Sequence, residues 1–140
     1  MTQHETHTTQ IPLRWGDFDR FGHVTNAAYI ELAQEARVIW ANDSFLAAGH
    51  DIPAVFVRKV EVDFLRPVLP SNKAVEVETA VNSIGSTSFV TRQDIYDVEH
   101  HLCATVTATQ VAVDLQTARP REINEEERHV LTQIAQSAGS

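Results

Sequence analysis

The densest group of reactive side chains in this chain is Asp17-Phe18-Asp19-Arg20-Phe21-Gly22-His23, followed at once by Val24-Thr25-Asn26. Two carboxylates and an imidazole flank a glycine, and the residues after them take helical spacing. A loop carboxylate can activate water or attack a carbonyl carbon directly. The first N–H groups of a helix lack partners inside it, and its dipole favours negative charge. A helix start beside such a carboxylate therefore stabilises the oxyanion that develops on a carbonyl under attack. Together these parts suit acyl hydrolysis. An aspartate ahead of a helix also has an ordinary use as a cap or Asx-turn residue, and a loop histidine as a backbone hydrogen-bonding group. Gly22 suits either a positive φ or close approach of a substrate. The first carboxylate, Asp17, reads as the turn or cap residue.

Positioning these groups requires a strand before them and a helix after them. Ile11, Leu13 and Trp15 alternate with Pro12 and Arg14, a short strand whose proline marks an edge or a strand start. From Thr25 to about Gly49 the spacing is helical, with Ile30, Ala33, Arg37 and Trp40 on one stripe and Ala27, Ala28 and Ala36 thinning the side chains beside it. Asn42-Asp43-Ser44 is a candidate cap for a separate helical turn. After Pro53 the pattern is strand throughout. Phe56, Val60, Val62 and Phe64 share one face, and Val75, Val77, Thr79 and Val81 share another that closes at Gly85-Ser86. Thr87–Val98 and Leu102–Leu115 read as two more strands joined at Glu99-His100-His101. Asn124 followed by three glutamates is a capped helix start. The expected organisation is a tail over 1–8, one domain over 9–122, and a C-terminal helix and tail over 123–140. One long helix against about five antiparallel strands is an α+β layer architecture.

The motif segment, with Gly22-His23-Val24-Thr25-Asn26-Ala27-Ala28-Tyr29 and Glu35-Ala36-Arg37, resembles the 4-hydroxybenzoyl-CoA thioesterase-like family of hot-dog proteins. That family carries Asp-x-Asp, then Gly-His-Val-Asn-Asn-Ala-x-Tyr, then Glu-x-Ala-Arg. The likeness continues in Val62-Asp63-Phe64-Leu65-Arg66-Pro67-Val68 and in Ile84-Gly85-Ser86-Thr87-Ser88, and spans most of residues 9–122. It implies a hot-dog fold, a curved antiparallel sheet around a central helix. It also implies hydrolysis of a fatty or aromatic acyl thioester, without a metal or other cofactor. By register the resemblance gives Asp19 the role of nucleophile or general base, a backbone N–H at Asn26 that of oxyanion donor, and His23 that of polarising the substrate or orienting Asp19. It further implies a homodimer or homotetramer joined through sheet edges, with the active site at the subunit boundary.

This sequence departs from the family pattern in places. Thr25 stands where many relatives have asparagine. The turn around Ser83, Ser86, Thr87 and Ser88 lacks the Arg- and Lys-rich cluster that grips nucleotide phosphates in some relatives. Arg58, Lys59 and Arg66 are the basic candidates left for that task, and the acyl carrier is either CoA or acyl carrier protein. Glu35 and Arg37 read as ion-pairing residues on the helix surface or at a subunit interface. Two other readings compete. One is a non-catalytic acyl-CoA-binding domain. The other is an enoyl-CoA hydratase or dehydratase, which fits less well because Asp19-Arg20 replaces Asn-Pro in its loop motif.

Bulk properties narrow the partners. A formal charge of −8 and a pI near 5.2 disfavour nucleic acid and anionic membrane surfaces. The single cysteine, Cys103, excludes an intrachain disulfide and reads as a small packed residue. His100-His101 reads as a turn pair without a second ligand set. The polar N-terminus and short apolar runs predict a cytoplasmic protein with no export signal. Trp15, Phe21, Trp40 and Phe56 are candidates for an acyl pocket, with burial in the core as the commoner use of such residues.

Overall fold

The structure is a computed structural model that describes residues 6–133. Five antiparallel strands form one sheet: β1 (His7–Pro12), β2 (Val55–Phe64), β3 (Ala74–Ile84), β4 (Ser88–Tyr96) and β5 (Leu102–Ala112), in the spatial order β1-β3-β4-β5-β2. A 16-residue helix, α1 (Asn26–Ala41), lies between β1 and β2 in sequence and packs across the sheet. A short helix, α2 (Glu125–Thr132), closes one end. Because the helix separates the first two strands, they reach opposite edges of the sheet instead of pairing. The result is the α+β hot-dog fold.

β1 begins at His7, ahead of the order expected from Thr9, because its backbone pairs with β3 from His7↔Thr79 to Pro12↔Ala74. Pro12 ends the strand, as a residue without an N–H does on an edge. Trp15, expected to alternate inward, instead sits on a 3₁₀ turn (Trp15–Asp17) and is 95% exposed.

On α1, Ala28, Tyr29, Leu32, Ala33, Ala36, Arg37 and Trp40 are buried, whereas Ile30 of the expected stripe faces outward. The alanines at 28, 33 and 36 let the helix lie close to the sheet. The expected break at Asn42 does not occur: Ala41, Asn42 and Ala47 are all α-helical in φ and ψ, and a π-turn over Asn42–Leu46 carries the helix on and buries Phe45.

Two apolar clusters fill the interior. One gathers Tyr29, Leu32, Ala33 and Ala36 with Val75, Val77, Ile95, Ala104 and Val106. The other gathers Trp40 and Phe45 with Val81, Phe89, Ala112, Ile123, Val130 and Leu131. α2 belongs to the second cluster. Its start is fixed by a reciprocal capping box between Asn124 and Glu127, and Glu127 also accepts from both terminal nitrogens of Arg121, at 2.9 and 2.6 Å.

Candidate active site

The segment between β1 and α1 is shaped by its two carboxylates, which do different things. Asp17 is buried. Its Oδ2 accepts from the Arg14 backbone N–H at 2.8 Å, and its carbonyl accepts from Thr25 N–H at 2.8 Å. All its visible bonds hold the loop together, consistent with the structural reading.

Asp19 is exposed, and its Oδ1 accepts from the N–H groups of Phe21 at 2.8 Å and His23 at 3.1 Å. Oδ2 has no hydrogen-bond partner among the described residues. The Asx-turn use and a chemical use are therefore compatible in one side chain, because each takes a different oxygen.

Gly22 closes this turn, donating to the Asp19 carbonyl at 3.0 Å with φ +80°. A side chain there would be strained, and its Cβ would meet Pro70 Cγ at 3.2 Å. Gly22→Ala is expected to destabilise the fold by about 1–2 kcal/mol, the cost of an L-residue held in the left-handed region. The check is a denaturant melt: the midpoint should fall with an unchanged slope, and an unmoved midpoint would mean that the turn relaxes freely.

Thr25 is the N-cap of α1, and its Oγ1 accepts from Ala28 N–H at 3.1 Å. Asn26 and Ala27 are left with backbone N–H groups that find no acceptor among the described residues, as the first turn of a helix requires. Tyr29, a turn further on, is buried, and its hydroxyl accepts from Val68 N–H at 3.1 Å. Burial pushes its pKa up, so it remains a neutral phenol that ties the helix to the segment after β2.

These elements enclose a cleft of about 360 Å³ lined by Asp19, His23, Asn26, Tyr29, Phe64 and Arg66, among others. The fold thus brings the proposed carboxylate, the histidine, the helix start and one of the three basic candidates into one place. Arg58 and Lys59 are not in this lining. They lie mid-strand on β2, and Lys59 pairs with Glu61 at 2.7 Å. Lys59 precedes Phe64 by five positions on the strand, roughly 16 Å at the usual rise.

Of the other residues singled out, Phe21 and Phe56 are exposed and only Trp40 is core. Glu35 pairs with Arg14 at 3.1 Å on the surface, but Arg37 is 8% exposed and is not a surface residue. Burial pushes the Cys103 thiol up to about 11, which suits a packed, inert residue. His100 is less isolated than its sequence neighbours suggest. The β3–β4 pairing brings Glu76 to within 3.3 Å of its Nδ1, with Glu78 in the same cluster and the Tyr96 ring stacked on the imidazole. Among the described residues, no helix is long and apolar enough to cross a membrane.

The sheet order and central helix define the fold as hot-dog, and comparisons with known proteins then define the family. Residues 13–133 match the family described as Thioesterase-like superfamily, and the chain belongs to it. It is 28% identical over 131 residues to the long-chain acyl-CoA thioesterase FadM of Escherichia coli, covering 90% of this chain and 97% of that one. Among solved structures it resembles the PA5185 protein of Pseudomonas aeruginosa, at a TM-score of 0.83 and 24% identity, over 96% of this chain and 94% of that one. It also resembles a Thermus thermophilus thioesterase complexed with coenzyme A and Zn, at a TM-score of 0.78 and 23% identity, over 95% and 96% of the two chains.

Proposed function

We propose that this protein hydrolyses acyl-CoA thioesters in the Asp19 cleft. The observation that carries the reading is the pairing, in one cleft, of a carboxylate with an unbonded oxygen and a helix start whose first N–H groups lack acceptors. Membership of the thioesterase-like superfamily and similarity to a long-chain acyl-CoA thioesterase support the choice of substrate.

In the reaction the thioester carbonyl oxygen accepts from Asn26 N–H, which stabilises the charge that develops there. Asp19 Oδ2 then acts in one of two ways. It either removes a proton from water as the water attacks the carbonyl carbon, or attacks that carbon itself to give an anhydride that water cleaves. In both, the C–S bond breaks, CoA leaves as thiolate and takes up a proton, and the acyl group departs as a carboxylate. A thiol of ordinary acidity is a good leaving group, so strong acid assistance is unnecessary. Arg66, the cation in the cleft lining, meets a phosphate of the carrier in this reading, and His23 orients Asp19 or the carbonyl.

The test is release of free thiol from a panel of aliphatic and aromatic acyl-CoAs, with acyl carrier protein thioesters beside them. Saturable release from at least one CoA thioester is expected. Binding without release across the whole panel would replace this reading with a non-catalytic acyl-CoA-binding domain.

The same proposal includes a dimer joined through β2. This strand pairs on one side only and carries exposed Phe56 and Phe64, an arrangement that soluble proteins normally cover. Sedimentation at the mass of a single chain would overturn that part.

A further inference from the structure

The two apolar clusters do not touch without interruption. Between them α1, β3, β4 and β5 contribute polar side chains to a buried belt. On β3, Thr79 stands between Val77 and Val81. On β4, Thr91 and Gln93 stand between Phe89 and Ile95, and on β5 Gln110 stands between Val106 and Ala112. On α1 the corresponding residue is Arg37, between Ala36 and Trp40.

Most of the belt satisfies itself. Gln110 Nε2 donates to Thr91 Oγ1 at 2.9 Å, and Gln93 Nε2 to Thr79 Oγ1 at 3.3 Å. The arginine is the exception. A guanidinium has five N–H donors, and its one hydrogen bond among the described residues is a long one, Nη1 to Gln93 Oε1 at 3.4 Å. None of the ion pairs among those residues includes it. Burial pulls its pKa down with no carboxylate acting to restore it. A buried cation without a counter-charge is expensive, so something outside the belt is needed to offset it.

The belt opens on that side. Arg37 and Gln110 line a cavity of about 310 Å³ whose other walls include Trp40, Phe45, Ile52, Val55 and Val57. The guanidinium donors of Arg37 that lack acceptors among the described residues therefore meet apolar walls, and the complement is an apolar body ending in an anionic acceptor.

We infer that this cavity is a second binding site, for a carboxylate-bearing amphiphile whose head bonds Arg37 and whose body lies along Ile52, Val55 and Val57. Two sources of that chemistry exist. One is the far end of an acyl group already held in the Asp19 cleft. Asn26 and Arg37 are eleven residues apart on one helix, about 16 Å along its axis, so an ω-carboxylated acyl chain of medium length would span the two. The other is a free carboxylic acid. The first source rests on the proposed thioesterase reading; the second does not.

The experiment has two arms. In the first, dodecanoate and dodecanedioate are titrated into full-length Trp15→Phe protein, where Trp40 remains as the only tryptophan. Saturable change in its fluorescence is expected, with affinity falling roughly tenfold or more in Arg37→Met and less in Arg37→Lys, as loss of a charged hydrogen bond implies. Ile52→Glu, an exposed change at the cavity wall that leaves the belt intact, should weaken binding similarly and covers the case in which Arg37→Met does not fold. In the second arm, kcat/KM for ω-carboxydodecanoyl-CoA is compared with that for dodecanoyl-CoA. A preference for the carboxylated chain that shrinks in Arg37→Met assigns the thioester source. Binding of the free acids without such a preference assigns the other. Absence of both effects in folded protein overturns the site, as does dissociation of an oligomer by Arg37→Met with carboxylate binding unchanged, since Arg37 would then be paired across subunits. If no thioester is cleaved at all, the thioesterase reading fails while the binding arm still decides this one.

Discussion

Asp19→Asn is expected to lower kcat for thioester hydrolysis by about 10²–10⁴-fold, the range for loss of a positioned acid–base group, while melting temperature and oligomeric mass stay close to wild type. Asparagine is the informative substitution because of how the carboxylate is shared. Its carbonyl oxygen can keep both bonds that Asp19 Oδ1 accepts, from Phe21 N–H and His23 N–H, so the loop has no reason to open. What changes is the oxygen without a partner, replaced by an amide nitrogen that can neither attack a carbonyl nor take a proton from water. Alanine would remove both oxygens and confuse loss of the turn with loss of chemistry. Stopped assays of CoA release, with a thermal melt on the same sample, make the measurement. Turnover near wild type in a folded Asn variant would remove Asp19 from the mechanism under either of its roles.

Local pattern carried the sequence reading where a residue's environment is set by its neighbours in the chain. The alternation from Val75 to Val81 gave the face of β3 correctly, and Asn124 with Glu127 gave the start of α2, because period-two burial and capping are local rules. The motif around Asp19 was legible for a similar reason: its carboxylate, glycine and helix start are consecutive, and their register survives folding. Failures came where tertiary pairing decides. Arg37 lies on the buried stripe of its helix, yet arginine seldom stays buried. Nothing near it in sequence announces the glutamines and threonines of three strands that make a polar belt there. Phe56 looked like a core residue by alternation, but a bulge between Val57 and Lys59 pairs it with Val111 and turns it off the face that carries Val60 and Val62, so it is exposed. Arg58, Lys59 and Arg66 looked alike as charges on or after one strand. Only the strand's length separates the last from the others and leaves it alone in the Asp19 cleft.

Asn26→Pro is the sharper test of the oxyanion site, because it deletes one backbone hydrogen and little else. Proline is favoured at the first position of a helix, where its fixed φ suits the turn and its missing N–H has no helical partner to lose. The residue before a proline must be extended, and Thr25 already is, at φ −67° and ψ 154°. The cap bond from Ala28 N–H to Thr25 Oγ1 does not involve residue 26 and should persist. The folded protein should therefore melt near the wild-type temperature. If Asn26 N–H holds the oxyanion, kcat should fall by about 10²–10³-fold, the usual consequence of losing one such donor, with a much smaller change in KM, because the bond strengthens as charge moves onto the carbonyl oxygen. Asn26→Ala separates the two parts of the residue. It keeps the N–H and removes the side chain, so a loss confined to the proline variant assigns the role to the backbone, and equal losses in both assign it to the side-chain amide. A proline variant that turns over like wild type would take the Asn26 N–H out of the chemistry and leave Ala27 N–H as the unbonded donor to test next, by the same logic one position on.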